Sequence, residues 1–243
     1  MTTIAAATAN TLLNRVAAEV GLDTSADPWA DTSQHFDQMR HLLQTAGEEL
    51  TLAHPWEWQV ATHSILTGAL DTGNYPLPDD FLQMVDQTGW ERSENVPLFG
   101  PLSAQDWTYL LGRDLVSSTI YASFRLKGGE FSIFPQPPPQ GLDINFEYQS
   151  RNWVDDGTLK DIVETGSDVV LFDKTLASRY LKVKWLEAKG FDTAKAQDDF
   201  NAVFGSITSK DKGAEIISAG RNARAFPYLD SRYNTKDSGY GGN

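Results

Sequence analysis

The chain has 243 residues, of which 40% are hydrophobic and 22% charged, with a formal net charge of −13 and no cysteine. That balance suits a folded globular protein with a sizeable core, and the lack of cysteine excludes disulfide staples, thiolate zinc sites and cysteine nucleophiles. So acidic a chain is not a general nucleic-acid binder, because phosphate affinity needs clustered Lys and Arg, and no apolar run approaches the roughly 18 residues of a membrane-spanning helix. Met1 to Asn10 lacks the basic start and apolar stretch of a secretory signal.

The first element expected is a helix carrying Ile4, Ala5, Leu12, Val16 and Val20 and stopped by Gly21. Asp27 to Ala30 is a connector. In the second helix Asp31 and Gln34 have the spacing of a capping box, Phe36, Met39, Leu43, Ala46 and Leu50 trace one apolar face, and Pro55 ends it. From Trp56 to about Tyr148 the pattern becomes short β segments. Trp56, Trp58, Val60, Thr62 and Ser64 alternate, and Asp71-Thr72-Gly73-Asn74 is a turn. Ser103 with Asp106 caps a short helix through Leu111. Thr119–Lys127 and Glu130–Phe134 read as a hairpin around Gly128-Gly129. Pro135 to Gly141 cannot be strand interior, and Leu142, Ile144, Phe146 and Tyr148 alternate as a half-buried strand. After Asp155-Asp156-Gly157 helices are expected again. One carries Phe172, Leu176, Tyr180, Val183 and Leu186 to a stop at Gly190, and the next, capped by Asp192 or Thr193, carries Ala196, Phe200, Val203 and Ile207. Residues 218–243 are rich in Gly, Ser, Asn, Arg and Tyr and have no periodicity.

The fold class expected is therefore α+β: a helical scaffold from both ends of the chain, an inserted antiparallel β-rich domain, and an extended C-terminal tail. The boundaries fall at 1–55, 56–158, 159–217 and 218–243. Charge follows this division, since residues 217–243 carry net +2 and the rest −15.

No catalytic, cofactor or metal site is expected. His35, His41, His54 and His63 lack the spacing of a helical metal site. No phosphate loop or Gly-x-Ser-x-Gly elbow occurs. The acidic pairs Asp79-Asp80 and Asp155-Asp156, in a chain with seven tryptophans, leave one alternative, a carbohydrate-binding or glycan-hydrolysing β domain on a helical scaffold. That would need two converging acids in a cleft lined by Trp. Trp56, Trp58, Trp90, Trp107 and Trp153 are more simply core or interface groups.

Three motifs, in order, carry a resemblance: Trp56 and Trp58 before the first strand, Tyr75-Pro-Leu-Pro-Asp-Asp-Phe81, and Phe131-Ser-Ile-Phe-Pro-Gln-Pro-Pro leading to Leu142-Asp-Ile-Asn-Phe-Glu-Tyr148. Set between two helix pairs, they resemble the head-to-tail adaptor proteins of tailed bacteriophages, closest in flavour to the podoviral tail tubular protein A type, over residues from about 4 to 210. The resemblance implies a structural virion protein, made in the host cytoplasm, that forms a dodecameric ring of itself between the portal protein and the next tail component (a nozzle or tail tube). Genomic DNA would pass through the lumen without specific binding, with no cofactor and no membrane. It also implies a portal-binding arm, for which the anchors are Arg221, Arg224, Phe226, Tyr228, Arg232 and Tyr233, and a tail-facing loop at Pro135, Pro137, Pro138 and Pro139.

Overall fold

The computed structural model describes residues 5–93, 95–112 and 123–211. In chain order its elements are β1 (Ala7–Thr8), α1 (Ala9–Glu19), α2 (Gln34–Ala53), a 3-10 turn (Glu57–Gln59), β2 (Val60–Leu66), β3 (Asn74–Pro76), β4 (Phe81–Met84), β5 (Trp90–Glu91), β6 (Val96–Pro97), α3 (Ala104–Gly112), β7 (Ser123–Lys127), β8 (Glu130–Phe134), β9 (Asp143–Ser150), β10 (Val154–Asp155), β11 (Leu159–Lys160), β12 (Val169–Val170), α4 (Lys174–Lys189) and α5 (Ala194–Asp211). The fold is α+β, with helices from both ends of the chain around a β-rich middle.

The helices form where apolar spacing and caps agree. Thr8 caps α1, its hydroxyl accepting from the Thr11 amide. The Asp173 carboxylate accepts the amides of Thr175 and Leu176 to start α4, and Gly190 ends it in the left-handed region at φ 71°. The stripe on α2 is buried as expected, at Phe36, Met39, Leu43, Ala46 and Leu50. Its start differs from expectation. Ser33 holds the cap position, and the Asp31 carboxylate accepts the Ser33 amide rather than closing a box with Gln34. The residues before α2 are held from the helix itself, since the Arg40 guanidinium donates to the carbonyls of Pro28, Trp29 and Asp31. Helix α4 packs against α1, α2 and α5. Trp56, Trp153 and Phe172 fill the core between them, with ring centroids 5.6 and 6.2 Å from Phe172.

Two local expectations are corrected. Trp56 does not begin a strand: its indole Nε1 donates to the Leu50 carbonyl at 2.7 Å and its ring is buried in the helical core, so the chain makes the 3-10 turn first and β2 starts at Val60. Nor do helices resume at Gly157. Strands β10, β11 and β12 intervene and join β1 in a small antiparallel sheet, order β1-β12-β10-β11, which ties the N-terminus to the end of the insertion. Helix returns only at Lys174.

The β-rich middle has its own core around Ile65, Phe124, Phe131, Ile133, Ile144 and Phe146. One sheet runs β2-β9-β5-β6, with β4 also on β9; the other runs β3-β8-β7. The long pair is β2 and β9, in register from Val60↔Gln149 to Leu66↔Asp143. Alternation on β9 comes out as read, with Ile144, Phe146 and Tyr148 buried and Glu147 exposed between the last two. Gly128 and Gly129, at φ 62° and 80°, close the β7–β8 hairpin. Of the run from Thr119, the residues before Ser123 lie outside those described.

A polar junction joins the two cores. The Gln149 amide donates towards the carbonyls of Thr51 and His54 and to Gln59 Oε1 at 3.2 Å, and accepts from Gln83 Nε2 at 2.8 Å. Gln59 Nε2 in turn donates to the Asn152 carbonyl at 3.2 Å. All three of Thr51, Gln59 and Gln149 are buried, so these bonds satisfy groups that would otherwise be costly to desolvate.

Candidate functional site

The direction of β2 and β9 gives the molecule two ends. Val60 and Ser150 lie beside the helices, whereas Leu66 and Asp143 lie some 20 Å away at about 3.3 Å per residue. The proline loop is at this far end, as the segment between β8 and β9.

The far end is tied together from within. The Thr67 hydroxyl donates to the Pro139 carbonyl at 2.6 Å and accepts the Leu142 amide at 2.8 Å, while the Thr67 amide donates to the Leu142 carbonyl at 3.0 Å. Gly73 is required here by φ 89° and by space: a Cβ would lie 3.0 Å from Gln136 and 3.3 Å from Pro138. The Asp71 carboxylate accepts the Gly68 amide at 2.6 Å and the Tyr75 hydroxyl at 3.0 Å. Burial, and then this carboxylate, push the Tyr75 phenol up to about 12. Glu91, wholly buried, accepts the amides of Ser93 and Asp143. Of the loop prolines, Pro138 is buried against Gly73, Pro135 is half-buried, and Pro137 and Pro139 are exposed. Sequence reasoning missed the neighbouring leucines. Leu66 is 72% exposed and Leu70 96%. The available signal was a leucine in the middle of a Gly, Asp and Thr turn cluster.

The helical end holds the last described residue. Asp211 closes α5 with its carboxylate accepting the Glu57 amide at 3.0 Å and 3.2 Å from His54 Nε2. The chain thus leaves the described part at the junction of scaffold and insertion. The expected arm residues Arg221, Arg224, Phe226, Tyr228, Arg232 and Tyr233 lie outside the described residues.

The residues that suggested sugar chemistry are each engaged in local structure. Asp80 accepts the Tyr148 hydroxyl at 2.9 Å, and the carbonyls of Asp79 and Asp80 both accept from Arg151. Burial and then Asp80 push the Tyr148 phenol up to about 12. Asp155 and Asp156 shape a turn by accepting the amides of Gly157 and Thr158. Trp56 and Trp153 are inside the helical core, Trp58 packs on Phe172, Trp107 is buried on α3, and Trp90 lies under Arg92. Among the described residues, no group of three or more His, Cys, Asp or Glu is placed to hold a metal ion, and no helix is long and apolar enough to cross a membrane.

The curated proteins contain no match to this chain. A protein-family model does match it, that of the SU10 adaptor protein, over residues 7–226. The matched span takes in the N-terminal helices, the whole β insertion and both C-terminal helices, and overlaps most of the stretch, about 4 to 210, over which the sequence resembles phage adaptors. With that match over most of its length, the chain belongs to the SU10 adaptor protein family and is a bacteriophage head-to-tail adaptor, a structural component of the virion.

Proposed function

We propose that this adaptor, made in the host cytoplasm, assembles into a ring, twelve copies by analogy with the family it resembles, between the portal and the next tail component. Genomic DNA passes through the lumen. Residues 218–243 form the arm that docks on the portal through Arg221, Arg224, Phe226, Tyr228, Arg232 and Tyr233, and the loop bearing Pro135, Pro137, Pro138 and Pro139 faces the tail. The division into 1–55, 56–158, 159–217 and 218–243 is the corresponding functional division.

The observation that carries this reading is the polarity of the molecule. Asp211, the last described residue of α5, is held beside Glu57 at the end of β2 nearer the helices. The proline loop is at the other end of β2 and β9. A protein that bridges two neighbours needs two such ends. Charge agrees with the roles, since a body of net −15 repels the duplex it conducts, while a tail of net +2 suits a docking segment. Truncation after Ala219 tests the arm. Circular dichroism and melting should barely change, while attachment to portal-bearing heads is lost and native mass spectrometry still finds the ring. Full attachment by the truncated chain would move portal docking onto the helices.

A further inference from the structure

We propose that Leu70 and Leu66 form an apolar anchor at the far end of the insertion, which seats in an apolar socket of a protein on the tail side. The proposal rests on the head-to-tail reading above and names the chemistry of its tail-side contact.

Four observations meet there. First, Leu70 is the most exposed of the large hydrophobic side chains described, at 96%, and Leu66 follows at 72%. Ala69, Pro137 and Pro139 beside them are also exposed. Second, the polar groups that build this end turn inward. Thr67, Asp71 and Glu91 are engaged with backbone amides and carbonyls of the same loops, so none of the three competes with the leucines for the outward face. Third, the end is already ordered: Thr67 and Gly73 clamp the leucine turn to the proline loop, so docking costs little conformational entropy. A pre-set apolar knob is the anchor that interface cores favour.

The fourth observation chooses the partner. Residues 1–216 carry net −15, and an anionic lipid surface repels so acidic a body. The tip is also remote from the helices and from Asp211, where the portal-side arm departs. A protein neighbour on the side away from the portal is the remaining occupant, with an apolar socket sized for leucine.

The test complements, in trans, a phage unable to make this chain, using the wild-type chain, Leu70→Ala or Leu70→Asp. Leu70 touches almost nothing, so both variants should melt like wild type. Electron microscopy of purified particles counts tailed heads, and immunoblotting asks whether the chain is on the heads. Expected is a loss of tailed particles of about tenfold for Leu70→Ala, and more for Leu70→Asp, with the chain present on the heads at wild-type level. Wild-type numbers of tails with Leu70→Asp overturn the proposal. So does absence of the variant chain from heads, or loss of the ring by native mass, either of which makes the tip a portal or self contact. Leu70-dependent flotation of the purified chain with vesicles of phosphatidylethanolamine and phosphatidylglycerol would overturn it in favour of a membrane. If heads lacking the chain altogether carry tails, the adaptor reading itself fails, a result distinct from all of these.

Discussion

Gly47 in α2 sets local preference against packing, and a single methyl group decides between them. Replacing a helix-interior glycine by alanine ordinarily stabilises by about 1 kcal/mol. Here the added Cβ would lie 2.3 Å from two carbons of the Trp153 ring and 2.5 Å from a third, where ordinary contact begins near 3.4 Å. The ring must move by about 1 Å, but Trp153 is fully buried and packs towards Phe172 in the centre of the helical core. Overpacking of this kind costs about 3 kcal/mol, so after the propensity gain Gly47→Ala should destabilise by about 2 kcal/mol. Gly205 in α5 is the internal control. It is exposed, and a Cβ there meets nothing within 4 Å, so Gly205→Ala should stabilise by about 0.5–1 kcal/mol. Urea unfolding followed by circular dichroism reads both. A Gly47→Ala protein as stable as wild type would refute the close approach of Trp153 to α2.

Other perturbations have equally definite outcomes. Burial alone would raise Asp168, but the Thr165 hydroxyl, the Glu164 and Thr165 amides and Lys160 hold its carboxyl well below the ordinary range. Its folded value is depressed, so its contribution is complete above the ordinary carboxylate pKa of about 4 and fades as pH falls below it. Asp168→Ala should cost about 2 kcal/mol at pH 7, with the gap to wild type narrowing in urea titrations taken progressively below pH 4. Tyr180 stacks on Phe200 and donates to Glu49. Tyr180→Asp should therefore cost several kcal/mol and impair assembly, while Tyr180→Phe should cost about 1 kcal/mol in the same unfolding assay. Thr67→Val removes the hydroxyl that joins the two far loops. Hydrogen exchange should rise in residues 67–73 and 135–142 and stay unchanged in α2 and α4.

Much of this architecture could be read from periodicity. The stripes on α2 and α4, the Gly190 stop, the Gly-Gly hairpin and the alternation of β9 each depend on neighbours within one or two turns of chain. The strands β10, β11 and β12 are two residues each, too short for any period to register, and the pairing of β12 with β1 joins residues far apart in sequence. Gln149 shows the other limit. Alternation places it on the outer face of β9 with Glu147, yet it is buried because the end of α2 and the Gln59 turn lie over it. Pattern gives the face of a residue but not what covers that face. Of the candidate surfaces, the proline loop was visible through its composition. The leucines beside it were not, because exposure of an apolar side chain depends on how two distant loops are clamped.

The pairing of β9 also makes it a mechanical element. A pull applied at Leu70 enters the clamp at Thr67 and Leu142 and then runs along β2 and β9, whose hydrogen bonds over seven residue pairs lie across the direction of force and share it in shear. The load arrives at Gln149, where several hydrogen bonds hand it to the end of α2 and to the Gln59 turn. Three residues before Val60, the amide of Glu57 rests on Asp211, the last described residue before the proposed portal arm. A load entering at Leu70 thus converges on the place where α5 ends, at Asp211.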